Sequence, residues 1–550
     1  MNLSRLAAAG FATIVLGAAL PSVAAATDYC VTPNMNCGQN NVGTFQDALD
    51  KAASANDSDR IFLGADTYGP PPGQDGFVYI AANAPVEIIG NGRGQTRITG
   101  REFGVEGVLD LWGGPGSSVH DLTVQIPRDV AANFTGLLTI NTAQRVDVTE
   151  DTVQANPHQG AMLFQGGVME DSNVTLESAQ KTTGVLLGVP IQGTPPTLRR
   201  STVQAATGVR IDGGGTIERA RVIGTNAGVV AASNDTTIRD SFLTITGSFG
   251  TVLRANTAPN ADTNVTADGL TIFASDMPDI GGVAVSTGPD PSRNAHLTLT
   301  NSIVRGGATP LYAVAGGAGT GTISASYSDY DPSGNIEWGG KISESNVSNV
   351  GDAVGFSEES GREFALLPGS PLIDAGDPAA PQGLDMHGDP RVADGNGDGV
   401  ARRDLGAFEL QPAPAAGPPG GGGPGGGPAA DIKAPLISGF RSSRSVFAIA
   451  RAGTPVAARV AQGTRLRYTL SEGARVTMKI QRRLAGRPTR YRAVGRLKRN
   501  GVSGLNRTRF TGRIGRRALR PGRYRVVITA TDAAGNRSAP KSARFRIARG

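Results

Sequence analysis

Residues 198–222, LRRSTVQAATGVRIDGGGTIERARV, carry the pattern that decides the fold. Residues 198–203 read apolar, polar, polar, small, any, apolar, and the same order returns at 217–222. Between these two segments, Gly208 begins a short run of β-forming residues. The segments are short and show no helical period, so each repeat is predicted to hold at least two short strands.

Both patterns recur on either side of this stretch, across residues 119–315. Gly136, Gly160, Gly184 and Gly208 are 24 residues apart, and a period of about 20–30 residues indicates a solenoid. Short strands favour a β-solenoid over helical repeats, and the Asn/Leu ladder of leucine-rich repeats is missing from the sequence. We therefore predict a right-handed parallel β-helix. Further copies begin at Val119, Val148, Met169, Ile238, Val265 and Leu299 for the first pattern, and at Gly228, Gly250 and Gly282 for the second.

A single amphipathic helix is predicted ahead of the repeats, at residues 44–53, TFQDALDKAA. Asp47 and Asp50 lie on its polar side. Such a helix would cover the open end of the solenoid, whose first coil otherwise exposes strand edges and apolar core. The opposite side of the helix consists of Phe45, Ala48, Leu49 and Ala52.

Composition supports an all-β chain with more than one domain. The 550 residues include 77 glycines and 34 prolines, which oppose helix interiors, and the length allows two to four domains. The net charge of +6 conceals a division, because residues 431–550 carry 30 basic and only 3 acidic residues, whereas the rest of the chain carries a net charge of −21. Such asymmetry reports on binding partners rather than on fold.

The N-terminus is typical of an export signal. Arg5 precedes an apolar run at 6–20, and three alanines follow at 24–26. The apolar run is short for a membrane anchor, and no stop-transfer charges follow it. We expect a protein that is secreted or held at the cell surface, with no membrane span. In that oxidising setting Cys30 and Cys37 are predicted to form a disulfide, and two free thiols are the alternative.

The domain boundaries follow from composition. Residues 412–430 contain only Gly, Pro and Ala, which is typical of a linker. We predict a signal peptide at 1–26, a parallel β-helix at 27–410, a linker at 411–431, and a small basic antiparallel β-sandwich at 432–550.

Both ends of the predicted solenoid resemble known bacterial proteins. Residues 30–68 and 86–100 (VEIIGNGRGQTRITG) look like the entry to secreted right-handed β-helix proteins. Residues 364–409, with FALLPGSPLIDAGDP, LDMHGDPRV and RRDLGAFE, resemble the closing segment of choice-of-anchor Q proteins. That resemblance implies the pectin-lyase-like architecture, which hosts lyases, hydrolases, epimerases, adhesins and non-catalytic passengers, so the fold does not settle the function.

Aligned repeats place charges in columns about 4.8 Å apart. Glu170, Arg199, Glu218 and Arg239 would alternate in sign, and we interpret this column as an ion-pair ladder that fixes register rather than as a glycan-binding strip. Asp171 would pair with Arg200, and Arg219 with Asp240. Asp121, Glu150 and Asp171 would place three acids in a row, a possible cation site. The four histidines, His120, His158, His296 and His387, occupy unrelated repeat positions and are expected to face solvent.

One loop resembles the front half of a calcium site. Asp394, Asn396 and Asp398 stand at positions 1, 3 and 5, with Gly399 at position 6. The acid expected at position 12 is absent, so a shifted ligand, Asp404 at position 11 or Glu409, would have to close the site. An Asx-rich turn without Ca²⁺ is the alternative, and no other cofactor is predicted.

The basic region shows plain strand alternation, and residues 519–524 and 530–536 resemble the last hairpin of immunoglobulin- or fibronectin-like modules. The alternation places basic residues on outer faces, which suits an anionic polymer. Nucleic acid is disfavoured, because Tyr468, Tyr524 and Phe545 fall on the inward phase and the protein is expected to be exported. An Arg-rich spacer and docking onto the acidic body are the alternatives. The candidate polymer-binding residues are Arg465, Arg467, Arg475, Lys479, Arg523, Arg525 and Arg546.

We thus predict an exported, surface-associated β-helix protein that binds or presents to cell-wall or extracellular polysaccharide without catalysis. The alternative is a polysaccharide lyase or glycoside hydrolase of the same fold. A groove with three or four unpaired acids, or acids with an unpaired Arg or Lys, would favour the enzyme. A face of paired charges would favour the non-catalytic protein.

Overall fold

The residues described below come from a computed structural model of the chain. The chain divides into two compact units. The first comprises residues 1–355 and 366–413, and the second comprises residues 356–365 and 414–550. The predicted signal peptide, Cys37 and nearly all of the linker lie outside the described residues. The structure describes residues 26–31, 40–55, 57–151, 156–177, 182–188, 193–258, 261–274, 280–288, 290–357, 364–412, 435, 437–442, 446–447, 464–470, 474–483, 491–501, 504–514, 517–531 and 536–548.

The first unit is a stack of short strands whose named pairings are all parallel. It also contains the helix α1 (Phe45–Ser54) and two 3₁₀ turns, Pro332–Gly334 and Gly351–Val354. The strands of its first half are β1 (Asp28–Val31), β2 (Asn41–Val42), β3 (Asp59–Leu63), β4 (Thr67–Tyr68), β5 (Phe77–Ala81), β6 (Val86–Ile89), β7 (Arg97–Thr99), β8 (Gly107–Gly113), β9 (Ser118–Ile126), β10 (Phe134–Thr139), β11 (Thr142–Glu150), β12 (His158–Leu163), β13 (Val168–Glu170), β14 (Asn173–Thr175), β15 (Thr183–Leu187) and β16 (Thr197–Arg199). Those of its second half are β17 (Thr202–Ile211), β18 (Gly215–Glu218), β19 (Arg221–Ala231), β20 (Thr236–Arg239), β21 (Phe242–Ile245), β22 (Gly250–Asn256), β23 (Thr263–Asp268), β24 (Thr271–Phe273), β25 (Ile280–Ser286), β26 (Ala295–Thr300), β27 (Ile303–Arg305), β28 (Thr309–Val314), β29 (Gly321–Ser326), β30 (Ile336–Trp338) and β31 (Lys341–Ser345).

Each coil contributes to three parallel sheets, so the predicted β-helix is confirmed. In one sheet Leu137, Ala161, Val185 and Val209 stand beside one another in register, which reproduces the 24-residue spacing of the sequence. Their side chains are fully buried in a continuous apolar core. Alternation along each strand therefore sends one set of residues into the core and the other set outward.

A glycine directly precedes each of these core residues within its strand, for a steric reason. A Cβ on Gly184 would lie 2.3 Å from Val203 Cγ1 and 2.6 Å from the carbonyl oxygen of Gly208. The repeated glycine thus permits the coil to approach the next coil closely.

The helix α1 covers the first coil as predicted. Thr44 caps its N-terminus, accepting a hydrogen bond at Oγ1 from the Asp47 amide at 3.1 Å. The Phe45 ring packs against Phe77 of β5 at 4.7 Å between centroids. Gln46 exchanges hydrogen bonds with both backbone groups of Val78, which satisfies a strand edge at the end of the stack. Nearby, Cys30 is disulfide-bonded, and Cys37 is the only other cysteine of the chain.

Three register assignments made from the sequence are wrong. Thr149 pairs with Gln125 and Thr175, so the copy placed at Val148 belongs five residues earlier, at Ala143. Thr300 stands beside Asp268 rather than Thr266. Val252, and not Gly250, occupies the position equivalent to Gly228. Each wrong assignment occurs where a loop differs in length from the loops of the neighbouring coils. A similar local sequence pattern then appears a few residues away from the true register.

The second unit is an antiparallel β-sandwich, apart from the parallel pair β33–β41. One sheet has the order β32-β34-β37 and the other β33-β41-β40-β35-β36, and residues of both share one hydrophobic core. The Tyr524 hydroxyl donates to the Arg520 carbonyl at 2.5 Å and fixes one corner. Its strands are β32 (Ile437–Ser442), β33 (Val446–Phe447), β34 (Thr464–Leu470), β35 (Ala474–Arg483), β36 (Tyr491–Gly501), β37 (Gly504–Phe510), β38 (Arg513–Ile514), β39 (Arg517–Ala518), β40 (Gly522–Thr531) and β41 (Lys541–Ile547).

Across the described ranges, none of the helices has the length and apolar character that a membrane crossing requires.

Candidate functional site

The predicted charge ladder runs along one outer edge of the β-helix. Glu170 pairs in register with Arg199, Arg199 with Glu218, and Glu218 with Arg239. Glu170 Oε2 accepts a hydrogen bond from Arg199 Nε at 2.6 Å, and Arg239 lies 3.1 Å from Glu218. The alternating order is thus confirmed, and these charges neutralise one another on the surface.

The next residue in each of these coils occupies a turn with positive φ. Asp171, Arg200, Arg219 and Asp240, together with Asp121 two coils earlier, have φ between 48° and 60°. Asp and Asn tolerate this conformation better than most residues. Arg200 forms two hydrogen bonds with Asp171, at 2.9 and 2.8 Å, as predicted. The bonds from Arg200 hold the pKa of Asp171 below its usual range.

The proposed row of three acids does not form. Arg145, and not Glu150, stands between Asp121 and Asp171 in this turn column. Arg145 donates to both carboxylate oxygens of Asp121 at 2.6 Å each, and these bonds lower the pKa of Asp121 to about 2. Glu150 instead lies 3.1 Å from His158, a buried histidine that we expected to face solvent. The guanidinium of Arg145 would therefore repel a cation between Asp121 and Asp171.

Residues 366–411 dock along the β-helix and bury an ion-pair network over the turn column. Asp240 accepts from Arg391 Nε at 2.8 Å and from Arg403 Nη2 at 2.6 Å, so the predicted pairing of Asp240 with Arg219 is wrong. Arg391 is 1% exposed and also donates to the Gly406 carbonyl at 2.8 Å. Asp240 thus links its own coil of the β-helix to residues that lie more than 150 positions later in the chain.

The candidate calcium loop is closed by its own backbone. Asp394 accepts hydrogen bonds from the amides of Gly397 and Gly399, at 2.7 and 2.9 Å, and Asn396 accepts from the Asp398 amide at 2.8 Å. Asp404 is fully buried, where it accepts from the amides of Asp374 and Leu410. The carboxylates of Asp394, Asp398 and Asp404 are not gathered within ligand distance of one another. This geometry favours the Asx-rich turn.

A second acidic group lies in the same segment. Asp385, His387 and Asp389 bring one ligand atom each within 4.8 Å of one another. However, Asp385 already accepts three hydrogen bonds, from the amides of His387, Asp389 and Glu409. The carboxylate therefore acts as a turn anchor within the closing segment.

Asp110 is one of several described carboxyl residues of the β-helix with a buried oxygen that has no hydrogen-bond partner. Asp110 lies on the outward side of β8, where its Oδ1 is buried without a hydrogen bond. Burial, with a contribution from the charge of Glu106, raises the pKa of Asp110 to about 7. Two residues along the same strand, Trp112 stacks on Phe164 at 5.9 Å between ring centroids.

The second unit contains a cavity of about 670 Å³ that is lined mainly by arginines. Arg523 and Arg525 of β40 and Arg544 and Arg546 of β41 face the same side of the sheet. Their neighbours Tyr524 and Phe545 are buried on the other side. The lining is completed by Arg483, Tyr491, Tyr524 and Phe545.

Neighbouring side chains hold one of these arginines in place. Arg525 donates from Nε to Gln481 Oε1 at 2.6 Å, and its guanidinium lies 3.9 Å from the centre of the Tyr491 ring. The cation–π contact leaves the edge of the guanidinium free to donate hydrogen bonds. None of the described residues of this unit is acidic, because its six acids lie outside the described set: Glu358, Glu359, Glu363, Asp431, Glu472 and Asp532.

The structure gathers three of the seven predicted polymer-binding residues in this cavity: Arg523, Arg525 and Arg546. Arg475 and Lys479 are exposed on the outward side of β35 in the same sheet, whereas Arg465 and Arg467 belong to β34 of the other sheet. The side chain of Arg465 lies outside the described set.

Sequence reasoning missed Arg483, Arg544 and Tyr491. The alternation at Arg544, Phe545 and Arg546 could have revealed the second of these, since residues two apart share a face. Tyr491 had no such signal, because its position depends on the pairing of β36 with β35.

These features define the class of protein: a parallel β-helix followed by an arginine-rich β-sandwich. No protein-family model and no curated protein sequence matches the chain. Among solved structures, it is similar to the enzymatically active domain of tailspike protein 2 from bacteriophage CBA120. The similarity has 10% identity and a TM-score of 0.26, and covers 92% of this chain and 73% of that chain.

Proposed function

We propose that this protein is exported and surface-associated, and that its second unit binds an anionic polymer of the cell wall or an acidic extracellular polysaccharide. The observation that carries the proposal is the convergence of five arginines on one cavity: Arg483, Arg523, Arg525, Arg544 and Arg546. Clustered cations of this kind attract a polyanion over a long range and then hold it through charge-assisted hydrogen bonds.

Charge distribution supports a dedicated polymer site. Residues 431–550 contain 30 basic and 3 acidic residues, so the attraction extends beyond the cavity. Arg475 and Lys479 are exposed along the same face and offer further contacts to a polymer that leaves the cavity. Because much of such binding is electrostatic, we expect the affinity to fall steeply as salt rises.

Internal pairing supports a non-catalytic role for the β-helix. Its charged columns place Glu170 against Arg199 and Asp121 against Arg145. A site for uronates would instead concentrate one sign of charge. The resemblance of residues 364–409 to the choice-of-anchor Q closing segment fits a surface protein of this kind.

The test compares two charge-matched variants of the full mature chain. Arg523→Gln with Arg546→Gln removes two cavity arginines, whereas Arg128→Gln with Arg210→Gln removes two exposed arginines that form ion pairs on the β-helix. Binding is measured on immobilised dextran sulfate and polygalacturonate at several salt concentrations, with neutral dextran as the blank. The cavity variant should lose about tenfold in affinity and show a shallower salt dependence, and the control should stay within about twofold. Equal effects of the two variants would contradict the proposal.

A second candidate function, cleavage of a polysaccharide, is favoured by Asp110. A carboxyl with a pKa of about 7 remains protonated often enough at neutral pH to act as a general acid. The neighbouring acid is Glu106, and Trp112 offers a ring on which a sugar could stack. Turnover of acidic and neutral polysaccharides by the full chain, and its loss in Asp110→Asn, would establish the enzyme. Absence of turnover across the panel would leave polymer binding as the function.

A further inference from the structure

The cavity arginines are arranged as two facing pairs. In the antiparallel register of β40 and β41, Arg523 stands directly opposite Arg546, and Arg525 directly opposite Arg544. We call these four residues the arginine square. Opposite residues in such a pair have Cβ atoms about 4.5–5.5 Å apart, and residues two apart along a strand are separated by about 7 Å. Four guanidinium groups thus emerge from a very small area of one sheet face.

This arrangement places like charges directly opposite one another on the sheet. Like charges directly opposite in a sheet are destabilising, and no acidic side chain is found among the described residues of the unit. The neighbouring side chains do not disperse the charge either, because Arg483 borders the same cavity. Gln481 and Tyr491 fix Arg525 without neutralising it. The square is therefore preorganised for a ligand that brings compensating negative charge.

We infer that the arginine square binds tetrahedral oxyanion groups, phosphate or sulfate, carried by the anionic polymer, in preference to carboxylate groups. A phosphate or sulfate group presents several oxygens in different directions, so two or more guanidinium forks can each make paired hydrogen bonds to it. A carboxylate has two oxygens in one plane, so it satisfies one fork and leaves the others facing each other. This selectivity rests on the proposed function, because it concerns the same site.

The cavity has space for more than the anion itself. About 670 Å³ is within the range of small-ligand sites, which leaves room for the sugar or linker beside a phosphate or sulfate group. The Tyr491 ring is part of the wall and offers an apolar surface next to Arg525. A polymer with one oxyanion per repeating unit would place one group in the square and its neighbours along the exposed Arg475 and Lys479.

The test is competition on the full mature chain. Dextran sulfate labelled with a fluorophore is bound first, and inorganic phosphate, sulfate or acetate is then added at constant ionic strength. Phosphate and sulfate should displace the polymer at concentrations at least about tenfold lower than acetate. Direct binding of polyphosphate and of polygalacturonate of matched charge gives the polymer comparison, and the phosphate and sulfate arms distinguish the two oxyanions.

Two variants separate fork geometry from charge. Arg525→Lys with Arg544→Lys keeps both charges but removes the bidentate forks, so polymer binding should remain while the preference over acetate falls to about twofold or less. The matched control is Arg128→Lys with Arg210→Lys on the β-helix, which should keep the full preference. Circular dichroism confirms that each variant is folded.

The outcomes distinguish the two proposals. Equal displacement by acetate and sulfate, with polymer binding intact, overturns the oxyanion preference and leaves polymer binding standing. Failure of the native chain to bind any anionic polymer overturns both. A lysine variant that keeps the full preference also overturns the role of the square.

Discussion

The β-helix and the β-sandwich place charged residues at the same strand spacing but with opposite arrangements. In the β-helix, Glu170 stands beside Arg199, and Arg199 beside Glu218. In the sandwich, Arg523 stands beside Arg546, and Arg525 beside Arg544. Since adjacent strands are about 4.8 Å apart in both, geometry does not explain the difference.

This difference shows where each unit uses its charge. Opposite charges that stack along a β-helix favour one register, because a slipped coil would bring like charges together. Like charges that stand together in a sandwich gain nothing from the fold, and they favour an external partner of opposite sign. The first unit thus uses charge for architecture, and the second presents it to a ligand.

The largest expected effect comes from breaking the deepest pairing of the first unit. Arg391→Met leaves the buried Asp240 with Arg403 alone and removes the guanidinium 3.8 Å from Glu409. We expect a loss of about 3–5 kcal/mol in the free energy of unfolding, as for other broken buried ion pairs. Chemical denaturation monitored by circular dichroism measures the loss.

Arg546→Met is the matched change in the second unit. It removes one member of a like-charged pair, so we expect stability to change by about 0.5 kcal/mol or less, or to rise. A comparable loss in both variants would contradict the contrast between the units.

The next effect tests whether the coils need close approach as well as charge pairing. A Cβ at residue 184 would meet Val203 Cγ1 at 2.3 Å. Gly184→Ala should therefore cost about 1–3 kcal/mol by overpacking. Gly69→Ala serves as the control, since a Cβ there meets no atom within 4 Å. Thermal unfolding of the two variants gives the comparison, and an equal Tm for both would show that the coils can separate without cost.

A smaller effect concerns the buried carboxyl of Asp110 in the first unit. The pKa of Asp110 is raised from 3.8 to about 7, so the folded state holds this proton more tightly than the unfolded state. Its contribution to stability is therefore greatest below pH 4, falls as pH rises, and is constant above about pH 7. Asp110→Asn removes this fall, so its Tm relative to the native chain should rise between pH 5 and pH 8. A constant Tm difference would indicate that the carboxyl is solvated.

The smallest effect is expected from a substitution that gives the charge ladder of the β-helix like-charged neighbours, as in the sandwich. Glu218→Arg places an arginine between Arg199 and Arg239. Because these groups are partly exposed, we expect a loss of about 1 kcal/mol or less that shrinks at high salt. Glu218→Gln is the neutral control and should lose less. Denaturation at low and high salt measures both, and a salt-independent loss would point to packing rather than charge.

Much of the fold was predictable because its signals are local. The glycine at Gly136, Gly160, Gly184 and Gly208 repeats at a constant interval where the loops have equal length, and the helix at 44–53 has both a cap and an apolar face. The register errors at Val148 and Val265 arose where loops differ in length. A short pattern then fits two positions, and only pairing with the neighbouring coil selects one.

The candidate site was predictable only in part. Alternation assigned Arg523, Arg525 and Arg546 to an outward face, since that depends on a period of two. It did not show that Arg544 faces Arg525 or that Tyr491 contacts it, because these relations cross between strands. Likewise, the partner of Asp240 is Arg391, 151 residues away.

The sequence by itself determined the β-helix, its capping helix, the basic sandwich and the contrast in charge between them, since period, capping and composition act over a few residues. Only the tertiary structure decided which charges are neighbours. It placed Arg145 between two acids, buried Asp404 away from Asp394, and gathered five arginines around one cavity. The reason is physical: electrostatic and hydrogen-bonding energies depend on distances of a few ångströms between strands, and strand pairing fixes those distances.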